Sequence, residues 1–238
     1  MKLQTVFKRY EYKYLVTEEQ ASAVLDGMRG KLVPDKWGKS TVVSLYYDTP
    51  SYALIRRSVE KPIYKEKLRL RSYGRAESDS TVFLEIKKKY KSVVYKRRIS
   101  LACSEAEAYM NGGEIEHETQ ISHEIDSFKR IYSPLVPAVY VSSEREAFYG
   151  DGDFRITFDR NILCRDTDLT LKSDSYGTAI LPEGKILMEI KTGRAIPLEL
   201  SKILTENKIY RTSFSKYGTF YIKGGLYKKC LKDCLIRS

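Results

Sequence analysis

The chain has 238 residues, of which 42% are hydrophobic, so it can bury a substantial core and is not a disordered basic tail. Its 42 Lys and Arg against 31 Asp and Glu give a formal net charge of +11, which predicts an anionic ligand. The sequence contains no run of about 18 apolar residues, so no membrane span is predicted. Residues 1–14 lack the apolar region of a secretory signal, so a cytoplasmic location is expected.

Strand-like and helical segments alternate along the chain. In chain order, strands are predicted at residues 7–16, 41–48, 64–73, 81–90, 93–101, 138–149, 153–161 and 185–191. A helix beginning with a Thr17–Gln20 capping box is predicted first. Further helices are predicted at residues 104–113, 119–132, 197–208 and, in part, 215–236. Eight strands with short turns predict one α+β domain over residues 1–238, with an antiparallel sheet and a tendency to close into a barrel.

The segment YKEKLRLRSYG at residues 64–74 places four cations on one strand face and mostly leucines on the other. Those cations are Lys65, Lys67, Arg69 and Arg71. Neighbouring like charges on one face repel by about 0.6 kcal/mol in water and about 2.4 kcal/mol at an effective dielectric of 20. An open surface tolerates this repulsion, whereas a cleft needs a polyanion to offset it.

Five other predicted strands also set charged residues against an apolar face. Their charged faces carry Arg9, Glu11, Lys13, Glu85, Lys87, Lys89, Lys96, Arg98, Arg155, Asp159, Glu189 and Lys191. Periodicity alone allows these faces to point outward or into a hydrated interior. The helices need an apolar sheet surface to pack on, which favours the inward arrangement. Such an interior fits a polyphosphate group and a divalent metal.

Several other chemistries are not expected. The four cysteines form no CxxC pair and are predicted to be reduced, buried thiols: Cys103, Cys164, Cys230 and Cys234. The only histidines, His117 and His123, lie in or beside one predicted surface helix, so a histidine metal site or triad is improbable. No GxxxxGK[ST] loop occurs, so side chains from several strands would have to hold phosphate.

The ordered motifs resemble the VTC domain, the polyphosphate polymerase branch of the triphosphate tunnel metalloenzymes, which are related to CYTH domains. The resemblance rests on YEYKY, SLYYDTP, KLRLRSYG, VFLEIKKK, YKRRISL, SSEREAF, FRITFDRNI, LMEIKTG and SFSKYGTF. It implies an eight-stranded antiparallel β-barrel that forms a cation-lined tunnel, with helices packed outside.

The resemblance also implies roles for individual residues. Catalytic contacts are expected from Arg69, Arg71, Lys87, Arg155 and Lys191. Substrate binding is expected from Lys13, Lys96, Arg98, Arg145, Ser215 and Lys216. A divalent metal, Mn²⁺ or Mg²⁺, would be held by Glu189, Glu85 and Glu11, with Asp159 as a weaker candidate. Hydrolytic members have an ExExK pattern on the first strand. The same positions here are Arg9, Glu11 and Lys13, and the loss of one carboxylate favours the polymerase branch.

The implied activity is transfer of the γ-phosphate of ATP to a growing polyphosphate chain, with release of ADP. No nucleic-acid partner is expected, and polymer export would need a separate membrane partner. Two alternatives stay open. One is a hydrolase of tripolyphosphate or thiamine triphosphate with the same fold, and the other is a non-catalytic barrel that binds polyanions.

Overall fold

A computed structural model describes residues 6–91, 93–116, 118–193 and 195–227. Its strands, all in antiparallel pairs, are β1 (Val6–Val16), β2 (Val33–Asp48), β3 (Tyr64–Tyr73), β4 (Thr81–Tyr90), β5 (Val93–Ala102), β6 (Val136–Tyr149), β7 (Arg155–Arg165), β8 (Thr178–Ala179), β9 (Ile186–Thr192) and β10 (Arg211–Thr212). Its helices are α1 (Glu18–Gly27), α2 (Ala53–Val59), α3 (Cys103–Met110), α4 (Gln120–Ile131), α5 (Leu198–Glu206) and α6 (Lys216–Lys223). Within these ranges no helix has the length and apolarity needed to cross a membrane.

The predicted α+β class with a large antiparallel sheet is confirmed. All eight predicted strands are present, and the main difference is that β2 begins at Val33 instead of residue 41. The extra residues are mostly exposed and lack an apolar alternation, so their sequence gave no strand signal. The predicted capping box of α1 is confirmed, since Thr17 Oγ1 accepts from Gln20 N at 3.2 Å and Gln20 Oε1 accepts from Thr17 N at 3.0 Å.

One helix was not predicted, and one can be compared with its prediction only in part. Helix α2 follows Tyr52, whose left-handed backbone (φ 58°) gives no helix-start signal in the sequence. Helix α6 covers only residues 216–223 of the predicted 215–236, and the part beyond residue 227 lies outside the described residues.

The sheet order is β10–β1–β5–β4–β3–β2–β6–β7–β8, and β9 pairs with both β1 and β7. These registers bring the predicted charged positions together on neighbouring strands. The cross-strand pairs are Arg69 with Glu85, Lys87 with Lys96, Lys13 with Glu189, and Arg155 with Lys191. Charged residues that are far apart in sequence therefore share one face of the sheet.

The opposite, apolar face of the sheet packs under the helices in three clusters. Helices α3 and α4 cover the cluster that contains Leu68 and Leu84. Helices α1 and α5 cover the cluster that contains Ile156 and Ile190, and α2 and α6 contribute to the third around Val139. The helices therefore cover the apolar face of the sheet, which is what the inward arrangement of the charged faces requires.

The predicted thiols and histidines are only partly described. Cys103 and Cys164 are free and buried, as predicted. Cys230, Cys234 and His117 lie outside the described residues.

Candidate functional site

The charged strand faces line one cavity of about 1820 Å³. Thirteen of the fifteen residues predicted for the site line this cavity, and the exceptions are Glu85 and Asp159. The cations of the described lining are Lys13, Lys36, Lys61, Lys65, Lys67, Arg69, Arg71, Lys87, Lys89, Lys96, Arg98, Arg145, Arg155, Lys191, Arg211 and Lys216. The carboxylates of the same lining are Glu11, Asp35 and Glu189. Sixteen cations therefore face three carboxylates.

Glu85 lies behind the arginines of β3 and is fully buried. Its Oε2 accepts from Arg69 Nε at 2.8 Å and Nη2 at 2.7 Å, and its Oε1 accepts from Lys96 Nζ at 3.1 Å. Burial alone would raise the pKa of Glu85, but the charges of Arg69, Arg71 and Lys96 outweigh it and hold that pKa well below its usual range. Glu85 therefore fixes the positions of three cations.

Asp159 likewise holds two other cations in position, Arg145 and Lys216. It is fully buried, and Arg145 donates to it in a fork, with Nε to Oδ1 and Nη2 to Oδ2 both at 2.6 Å. Lys216 Nζ also donates to Oδ2, at 2.5 Å. Burial raises the pKa of Asp159, and the charges of Arg145 and Lys216 more than reverse that effect. Glu85 and Asp159 are called the wall carboxylates below.

Glu11 and Glu189, called the cavity carboxylates below, lie in the lining itself. Glu189 Oε1 is 3.2 Å from Lys13 Nζ, and its Oε2 is 2.9 Å from Lys191 Nζ. Glu11 Oε2 accepts from Lys87 Nζ at 2.6 Å. Burial raises the pKa of Glu11, yet Lys87 and Lys191 together bring it down to about 2. Both cavity carboxylates are therefore ionised near neutral pH.

The donor set can be tested against a divalent cation. In the part of the chain that the structure describes, no three His, Cys, Asp or Glu side chains converge on one point. Mg²⁺ commonly takes only one or two protein carboxylates and completes its shell with water and substrate phosphates. Glu11 and Glu189 fit that pattern. Glu85, predicted as a third ligand, does not, because it is fully buried and lies outside the lining.

The C-terminal elements bring Ser215 and Lys216 to the cavity. Lys67 Nζ donates to Ser215 Oγ at 2.9 Å, and Lys13 Nζ donates to the Phe214 carbonyl at 2.8 Å. On the other side of α6, Tyr217 OH donates to the buried Asp48 at 2.9 Å. Asp48 also accepts the first backbone N–H groups of α2, so it holds the starts of both helices.

Among the cavity residues that were not predicted for the site, Lys67 and Tyr46 contact residues that were. Lys67 shares the strand face of Arg69, so the period of two already contained its signal. Tyr46 lies in the buried run of β2, where nothing in the sequence separates it from core tyrosines. Burial would raise the pKa of Tyr46, but Arg69, Lys67 and Arg71 lower it to about 7, and its hydroxyl accepts from Arg69 Nη1 at 3.0 Å.

Two solved structures share the fold across most of their length. One is a proposed adenylate cyclase from Bacillus halodurans, with 13% identity, a TM-score of 0.57, and coverage of 89% of this chain and 96% of that protein. The other is a proposed adenylyl cyclase from Hippeastrum with a dominant triphosphatase activity, with 14% identity, a TM-score of 0.53, and coverage of 90% and 96%. At these identities the likeness shows the fold alone.

The sequence itself identifies the family. The VTC domain model matches residues 8–222, and the chain belongs to the VTC domain family. A comparison with curated proteins finds no match.

Proposed function

We propose that the protein is a metal-dependent polyphosphate polymerase that transfers the γ-phosphate of ATP to the end of a polyphosphate chain. The observation that carries this proposal is that sixteen cations line one cavity with only three carboxylates, and that they still outnumber the carboxylates by eleven when the buried Glu85 and Asp159 are counted. One triphosphate group has far less negative charge than this lining can neutralise. The cavity of about 1820 Å³ also exceeds the usual range for one small ligand, about 300–1,000 Å³. Both features suit two polyanions bound at once.

The strand pairings support a tunnel architecture for this reaction. Because β9 pairs with both β1 and β7, we propose that β1, β5, β4, β3, β2, β6, β7 and β9 close into an eight-stranded barrel around the cavity. Residues 1–238 would then form one domain, and an elongated polymer would lie along the barrel axis.

The proposed step is an in-line phosphoryl transfer. An oxygen of the polymer's terminal phosphate forms a bond to the γ-phosphorus, and the bond from that phosphorus to the β,γ-bridging oxygen breaks. ADP leaves with the electron pair of the broken bond. Arg69, Arg71 and Arg145 lie at fixed positions where they can neutralise charge on the transferring group, since the wall carboxylates hold them before substrate arrives. Lys87, Arg155 and Lys191 add positive charge beside them.

The proposed metal site uses the cavity carboxylates. Glu11 and Glu189 would hold Mn²⁺ or Mg²⁺, which supplies charge neutralisation between phosphoryl oxygens when bound. Lys13 and Lys191 contact one oxygen each of Glu189 and so orient its carboxylate.

A triphosphate hydrolase is the second candidate, since the Hippeastrum protein of this fold has triphosphatase activity. Hydrolysis needs a group that takes a proton from water. Glu11 has a pKa of about 2, and that of Glu85 is also well below its usual range, so both are weak bases near neutral pH. A terminal phosphate is already anionic and needs no such base. The weak basicity of these two carboxylates supports transfer to phosphate, and Tyr46, with a pKa of about 7, is the lining group that a hydrolase would use as its base.

The deciding experiment incubates the purified protein with ATP, Mn²⁺ and a short polyphosphate primer. Products are followed by gel staining for polymer and by assays of ADP and free phosphate. We expect ADP and lengthening polymer in matching amounts. Free phosphate without polymer would assign the hydrolase. Polyphosphate binding without any ATP turnover would assign a non-catalytic polyanion binder.

A further inference from the structure

The two ends of the cavity differ in the side chains that form them. Strand β3 runs from Lys65 at one end to Tyr73 at the other, and β4 returns from Phe83 to Lys89. We name the ends by their residues. The aromatic mouth consists of Trp37, Tyr73, Phe83 and Tyr149, and the lysine mouth consists of Lys61, Lys65 and Lys89. One end of the cavity therefore offers flat rings with cations beside them, such as Lys36 with its Nζ 4.6 Å from the centre of the Trp37 ring, and the other end offers ammonium groups.

The rings of the aromatic mouth are exposed although they border a site. Trp37 is 69% exposed, Tyr73 53% and Tyr149 42%. Tyr73 and Phe83 contact each other edge to face with ring centroids 6.0 Å apart. The Arg155 guanidinium lies 4.7 Å from the centre of the Tyr149 ring. Exposed rings beside cations at the edge of a phosphate-binding groove are the arrangement on which bases stack.

Trp37 reaches this position through an irregularity in β2. The pairing of β2 with β6 shifts register between Pro34 and Lys39, so residues 35–38 leave the ladder. Gly38 supports the detour with a left-handed backbone (φ 55°), which an L-residue rarely adopts. The backbone N–H of Trp37 also donates to Asp35 Oδ1 at 3.4 Å. A regular strand would have left Trp37 in the alternating pattern of its neighbours.

Asp35 adds a hydrogen-bond acceptor to the same mouth. Its Oδ2 lies 3.3 Å from both the Tyr149 hydroxyl and Arg155 Nη2, which donate to it. The side chain lines the cavity and remains partly accessible, at 13%. Ribose hydroxyls and the amino group of adenine are donors that such a carboxylate can accept.

We propose that the aromatic mouth binds the nucleoside of ATP, with the base against Trp37 and Tyr149 and Asp35 accepting from the ribose or the base. This inference rests on the proposed function, because it assumes a triphosphate among the cavity cations. The phosphates of the nucleotide then extend inward from Arg155 toward Arg145. The reacting end of the polymer approaches from the direction of the lysine mouth.

The test uses the full chain and its own chromophore. Trp37 is the only tryptophan in the sequence, so intrinsic tryptophan fluorescence reports on the aromatic mouth alone. ATP and inorganic tripolyphosphate are titrated separately, with affinities measured by calorimetry. We expect ATP to change Trp37 emission strongly and tripolyphosphate to bind with little change. Trp37→Ala should weaken ATP binding about tenfold and leave tripolyphosphate binding unchanged, while Trp37→Phe should restore most of the ATP affinity.

A matched control removes an exposed ring elsewhere. Tyr210 is 76% exposed and does not line the cavity, so Tyr210→Ala should bind both ligands like wild type. Equal ATP affinity for Trp37→Ala and wild type, with normal tripolyphosphate binding, would overturn the nucleoside site and leave the proposed function standing. If wild type binds neither ligand, the proposed function fails and the nucleoside site fails with it.

Discussion

The wall carboxylates and the cavity carboxylates occupy the same charged strand faces but have different surroundings. Glu85 and Asp159 have no exposed surface, and each accepts a two-pronged contact from one arginine and a further contact from one lysine. Glu11 and Glu189 line the cavity, and the charged groups in contact with them are lysines alone. The first pair is saturated by the protein, and the second faces the space where substrate would lie.

This difference shows how a cavity with so much positive charge can be stable before its ligand binds. Buried charges need partners, and the wall carboxylates supply them at the arginines without entering the cavity. The arginines are thereby held in place, which is the condition for stabilising charge in a transition state without further rearrangement. The cavity carboxylates remain available for a metal. The predictions below separate these two roles.

The largest expected effect is on turnover when a wall-held cation is removed. Arg69→Ala should lower kcat about a thousandfold, as loss of an arginine on a transferring phosphoryl group does. Arg71→Ala should have an effect of the same kind. Circular dichroism checks the fold, and Arg75→Ala serves as control because Arg75 is exposed and pairs with the exposed Asp174 at 3.1 Å. An unchanged kcat in Arg69→Ala would remove β3 from the site.

The next largest expected effect is on the stability of the fold, and it tests directly whether the wall carboxylate Glu85 holds its cations in place. Glu85→Gln removes the buried counter-charge of Arg69 and Lys96, which are themselves only partly exposed, so the free energy of unfolding should fall by about 3 kcal/mol. Urea denaturation measures it, and Glu199→Gln, in an exposed pair with Lys31, should unfold like wild type. A Glu85→Gln protein as stable as wild type would show that the wall carboxylate is not needed to hold the arginines.

Glu189→Gln should separate metal binding from nucleotide binding. The Mn²⁺ concentration for half-maximal activity should rise about tenfold, since a carboxylate oxygen is lost from a site with few protein ligands. ATP binding without metal should be equal or tighter, because a negative charge has left the cavity. Glu144→Gln, at an exposed position of β6, is the control. Superimposable Mn²⁺ titrations of Glu189→Gln and wild type would refute this role.

The smallest effect is a pH dependence of polyanion binding. Burial lowers the pKa of Lys96 to about 7 and the pKa values of Lys67 and Lys191 to about 8. These amines are charged below those values and lose charge as the pH rises through them. The Kd of tripolyphosphate should therefore increase about fivefold between about pH 7 and about pH 9. A Lys96→Met variant should give a flatter profile, and a flat profile for wild type would contradict the expectation.

The strand faces could be predicted because each strand keeps a strict period of two. Lys13, Arg69 and Lys191 are far apart in sequence, yet alternation alone assigned each to a charged face. The direction of those faces followed from the helices, which need the apolar side of the sheet. The motifs then predicted the family, which is confirmed over residues 8–222.

Two kinds of feature could not be predicted: how deeply a charged side chain is buried, and where a strand departs from its alternation of faces. Glu85 and Glu11 have the same sequence signature, but only the packed structure shows that Glu85 lies behind two arginines and that Glu11 lies in the lining. Trp37 lies where β2 leaves its register, so no alternation could assign it to a face. In the sequence, Tyr46 cannot be told apart from a core tyrosine, because the cations that lower its pKa most come from another strand.

The contact between Lys13 and the Phe214 carbonyl joins residues 201 positions apart. The first strand therefore acquires its final neighbours only after nearly the whole chain is available. Contacts of such long range slow folding, because chain closure must precede the gain from packing. Until then the cations repel one another across an unfinished wall. Any polyanion that binds the finished cavity will shift the folding equilibrium toward the native state, and its concentration in the cell will help to set how much of the protein is folded.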